Sequence, residues 1–130
     1  MKSIKVLTAI FGIATSLNTG LAFAQKKDVH NLEPKNGGIV VENNHMEYEL
    51  VLKPEATELY VTDHGKAIDL SKANAKVTVL DGGQKIEKTL KGQGQVLKGE
   101  GVSLKGSAYT AVVTVEFESK KKATVRFARK

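Results

Sequence analysis

Cysteine and tryptophan are both missing from these 130 residues, and proline occurs only twice. Without cysteine there is no disulfide staple, no thiolate metal site, no cysteine nucleophile and no lipobox for lipid attachment. The Cys–Trp–Cys centre of antibody domains is excluded as well. Aromatic residues are scarce, with three tyrosines and four phenylalanines, so the core must be built mainly from Val, Leu, Ile and Ala. No apolar run reaches the ~20 residues that a membrane-spanning helix needs.

The most apolar stretch, Val6 to Leu17, follows Lys2 and Lys5 and precedes Ala22-Phe23-Ala24. A positive start, a short apolar run and a small-x-small site describe a cleavable secretory signal over residues 1–24. Export to a bacterial periplasm is the expectation, with Gln25 as the mature N-terminus and no membrane insertion afterwards. Loss of Lys2 and Lys5 leaves 18 basic residues against 14 acidic ones, a net +4 spread along the chain. The densest basic run, Lys120-Lys121-Lys122, falls where a hairpin turn is expected. It reads as a solvated turn, and no nucleic-acid partner is expected.

Residues 25–36, QKKDVHNLEPKN, show no periodicity and read as a flexible tail that carries His30. From Gly37-Gly38 onward the period is two. Ile39 and Val41 share a face, then Tyr48, Leu50 and Leu52 alternate with Glu47 and Glu49, whose side reads as solvated. Residues 53–58, with Pro54, read as a connection before a short strand over 59–62. Asp81-Gly82-Gly83-Gln84, between runs at 76–80 and 85–91, is the clearest hairpin signal. Residues 92–106 hold five glycines and read as two short strands or a loose loop. Tyr109 to Phe117 alternates most strongly, and Ala123, Val125 and Phe127 make the closing strand. Seven to nine short strands without a helix predict one all-β domain over 37–130. The expected form is a two-layer antiparallel β-sandwich, immunoglobulin-like in the broad sense, with a small β-barrel as the alternative.

Enzyme constellations are missing. There is no glycine-rich phosphate loop after a strand and no G-x-S-x-G elbow, and the mature serines sit in turn-like or glycine-rich contexts, so no enzyme and no organic cofactor are expected. Metal chemistry is better posed. The available donors are histidine, carboxylate and methionine: His45 stands beside Glu42, Met46 and Glu47, His64 beside Asp63, and His30 on the tail. Imidazole and carboxylate suit Zn(II), Cu(II) or Ni(II), whereas the Met46 thioether would favour Cu(I). No two histidines stand at a local ligand spacing such as H-x3-5-H. They are also readable as unrelated turn residues, and the domain then as a protein-interaction module docking through a strand edge, for which the glycine-rich 92–106 region is a candidate, or through an apolar patch.

Three words bear on that choice: Gly37-Gly38-x-Val40-Val41, then His45-Met46-Glu47-Tyr48-Glu49-Leu50-Val51, then Leu59-Tyr60-Val61-Thr62-Asp63-His64-Gly65-Lys66. Together they resemble a pattern of small periplasmic proteins, and of N-terminal parts of periplasmic adaptor subunits, associated with heavy-metal efflux systems of the resistance-nodulation-division type. A looser likeness continues through residues 75–83 and through Ala111 to Val115 and Ala123 to Phe127. The resemblance implies a β-rich periplasmic domain that binds a divalent metal, zinc or copper, near an efflux adaptor. His45, His64 and Asp63 match the family's histidines and acid, with Glu47 and His30 as further donors. Where the family has histidine before Gly-Gly, this chain has Asn36, a poor metal ligand.

Overall fold

The computed structural model describes residues 32–130. The expected signal segment, most of the expected tail and His30 lie outside the described residues. Nine strands follow one another: β1 (Ile39–Asn43), β2 (Met46–Leu52), β3 (Ala56–Asp63), β4 (Lys66–Ala67), β5 (Asn74–Asp81), β6 (Gln84–Gln93), β7 (Val96–Glu100), β8 (Tyr109–Glu116) and β9 (Lys122–Arg129). No helix occurs among the described residues, so none is long and apolar enough to cross a membrane.

All pairings are antiparallel and join the strands into one sheet of order β1-β2-β3-β7-β6-β5-β8-β9, with β4 on the end of β3. The outermost strands come together, and the Asn43 amide donates to the Thr124 carbonyl at 3.3 Å. The sheet is thus nearly a barrel. A sandwich would require two sheets not hydrogen-bonded to one another, and that expectation is not met; the small-barrel alternative fits. The joint is made by β7, which bonds β3 on one side and β6 on the other. Within 92–106, residues 96–98 are paired on both flanks, and Gly99 and Glu100 pair with β3 alone.

Alternation selects the inner face. Ala75, Val77 and Val79 of β5 lie against Val115, Val113 and Ala111 of β8, all buried. Each such buried valine contributes about 2 kcal/mol of apolar burial. Tyr48 and Phe127 are the bulkiest fully buried side chains.

Four loops of two residues set the registers, between Asn43 and Met46, Asp63 and Lys66, Asp81 and Gln84, and Gln93 and Val96. In the first three both loop residues have positive φ, the I′ pattern that matches strand twist. In the fourth only Gly94 does. Gly82-Gly83 adopts this conformation with no Cβ penalty. Asn44-His45 and His64-Gly65 adopt it with histidine at one of the two positions.

Candidate metal site

Register explains why two histidines 19 positions apart become neighbours. Met46, the first residue of β2, pairs with Asp63, the last of β3. His45 precedes one and His64 follows the other, so both project just beyond the same end of the ladder. Their rings stack with centroids 6.5 Å apart and planes 11° from parallel. Asp63 Oδ1 lies 2.5 Å from His64 Nδ1, which fixes that ring and leaves Nε2 facing away from the carboxylate. The His64 side chain is 71% exposed, and His45 is exposed too.

The backbone under this pair is costly. His45 has φ 65° and His64 φ 49°, and a left-handed conformation disfavours any side-chain-bearing residue by about 1 kcal/mol. Neither ring is buried, so packing does not repay the strain. The 6.5 Å between the centroids is longer than a shared ion would allow. Zinc bonded to both at ~2.0 Å with a tetrahedral angle would hold the centroids roughly 5 Å apart. Sharing an ion would therefore require the rings to turn from the positions seen, with His64 held at Asp63.

The other expected donors are placed differently. Met46 turns onto the inner face, where the Tyr48 hydroxyl approaches its sulfur at 3.9 Å. Glu47 sits on the outer face opposite Thr62, whose hydroxyl donates to it at 3.4 Å. Among the described residues no group of three or more His, Asp or Glu is arranged to hold an ion. Of the expected donors, the structure brings His45, His64 and Asp63 to one rim, and His30 lies outside the described residues.

Glu49 corrects the expectation of a solvated acidic face. It is 6% exposed, and its carboxylate accepts hydrogen bonds from the backbone N–H groups of Lys35, Asn36 and Gly38 and from the Asn36 amide, at 2.8 to 3.1 Å. Asn36, standing where the resembled pattern has histidine, thus serves the fold. Gly38 is required here, because a Cβ would come 2.2 Å from the Leu50 carbonyl oxygen. Nothing local marked Glu49; only the return of residues 35–38 onto β2 reveals its role.

Beside Glu49 runs an open groove of about 350 Å³ whose lining includes Glu33, Glu47, Tyr60 and Gly65. The Tyr60 hydroxyl donates to Glu58 at 2.5 Å. That bond, with some burial and the negative charges of Glu58 and Glu49, pushes the phenol up to about 12. Tyr60 is therefore a neutral donor at physiological pH. No family model, no curated protein and no solved structure matches the chain. The efflux-system resemblance accordingly rests on the words of the sequence themselves.

Proposed function

We propose that this chain is a non-enzymatic, exported metal-binding accessory protein that holds a divalent zinc or copper ion between His45 and His64. The observation that carries this reading is the 6.5 Å stacking of two imidazoles from separate turns on one rim. Asp63 acts as the outer carboxylate that fixes the ring and raises its basicity, an arrangement common behind metal-bound histidine. The left-handed backbone at both histidines supports it further, since strained residues concentrate at functional sites. Met46, engaged by Tyr48, leaves imidazole as the chief donor and favours divalent ions over Cu(I).

A periplasmic setting follows from the signal-like residues 1–24. Heavy-metal efflux or resistance, with a periplasmic pump adaptor as partner, follows from the resemblance. The rival reading is an interaction module with incidental histidines; pairing of residues 96–98 on both flanks leaves it other strand edges or an apolar patch through which to dock.

The test is native mass spectrometry of the chain from Gln25 onward, titrated with Zn(II), Cu(II) and Ni(II), and with Cu(I) under anaerobic conditions. A tightly held ion that is lost in the His45→Ala/His64→Ala double variant is expected. That loss should exceed the roughly hundredfold effect that changes behind a metal ligand can reach. No binding, or equal binding by the double variant, refutes the proposal.

A further inference from the structure

We infer that the ion is shared between two copies of this chain, each giving His45 and His64 to one four-coordinate centre. The inference rests on the metal reading above and adds the partner that completes the site. It begins with a count of donors. A structural zinc ion takes four ligands, almost always tetrahedrally. The described residues bring two imidazoles to this rim and assemble no third donor with them.

Neighbouring side chains have other engagements. Asp63 Oδ1 is held at His64 Nδ1, the Met46 sulfur faces Tyr48 inside the barrel, and Glu47 is bonded by Thr62 on the outer face. The described residues of one copy therefore offer two of four donors. These two are accessible, because both histidines sit on two-residue loops beyond the ladder end and are exposed.

Symmetry supplies the rest. Two identical two-donor rims related by a two-fold axis through the ion give four donors, and isologous two-fold pairing is the commonest way proteins self-associate. Charge does not oppose the approach, since the His64 loop is flanked by Asp63 and Lys66, opposite in sign and directly paired.

Sedimentation velocity and native mass spectrometry on the chain from Gln25 onward, titrated with Zn(II), test the inference. The expected result is a doubling of mass that ends at one ion per two chains, reverses with chelator, and is absent in His64→Ala. The variant His30→Ala should still form the two-chain complex. A monomer holding one ion overturns the inference and leaves the metal reading standing. Loss of binding in His30→Ala does the same, because the remaining donor would then come from the tail. A dimer that forms equally without zinc also overturns it. Absence of any bound ion removes both readings together.

Discussion

Glu49 and the histidine pair stand on the same two-strand unit, and they use polar chemistry in opposite ways. Glu49 is buried, yet four N–H groups from residues 35–38 meet its two oxygens. It closes the entry of the chain onto β2, and the fold uses all of it. His45 and His64 are exposed, and their backbones sit in a disfavoured conformation. The ring stacking of the pair and the bond of His64 to Asp63 hold no distant segment in place. A group that stabilises the fold is recognised by what it ties together. A group kept at some expense to the fold, without tying anything, points to a ligand.

The contrast predicts a double dissociation, with its largest effect on stability at Glu49. Glu49→Ala removes a charged acceptor from four donors, and hydrogen bonds to charged groups contribute ~1.5–3 kcal/mol each. Part of this is regained because Lys35 and Asn36 can turn to water. A net loss of about 3 kcal/mol is expected, read as a lower denaturation midpoint, with zinc affinity unchanged in the folded protein. If the variant is as stable as the parent, or loses zinc while still folded, the division of roles fails.

The next effect is on affinity alone. Asp63→Asn keeps the side chain's shape but weakens its hold on His64 Nδ1. Zinc affinity should fall about 10–100-fold, as is usual when the group behind a ligating histidine is changed. Isothermal titration would measure this, and unchanged affinity would show that Asp63 serves only its turn. Stability should move little, since both partners are more than half exposed.

How much of this was legible follows from the range of each determinant. The alternation of Tyr109 to Phe117 and the Asp81-Gly82-Gly83-Gln84 turn are local, and both appear as read: β8 runs from Tyr109 to Glu116 and the turn joins β5 to β6. β3 begins at Ala56, earlier than expected, because Thr57 and Glu58 are drawn into strand by pairing with Gly99 and Lys98 of β7. That partner lies some forty residues away. Gly99 itself is needed there, since a Cβ would approach the Thr89 carbonyl oxygen to 2.5 Å. Barrel over sandwich is decided by the β3–β7 pairing, which no local pattern encodes, whereas the β6–β7 hairpin is set by its two-residue loop. The histidine pair was half legible: each turn could be read, but their meeting depends on the Met46–Asp63 register.

The smallest effect tests the claim that the histidines burden the fold. In the loop between β5 and β6, Gly82 and Gly83 have φ of 56° and 92° with nothing within 4 Å of an added Cβ. That loop shows what the same geometry requires when no ligand has to be held. His45→Gly gives the β1–β2 loop the Asn-Gly sequence that this turn prefers. The gain from relieving a left-handed histidine exceeds the added freedom of glycine in the unfolded chain, so the apo protein should become more stable by about 0.5–1 kcal/mol. The converse change, Gly83→Ala, should destabilise by a similar amount, because open space leaves only the conformational term. Urea denaturation of both variants without metal reads the difference. Should His45→Gly destabilise instead, His45 would be holding the turn together through its stacking on His64, and the case for a ligand would lose the strain on which part of it stands.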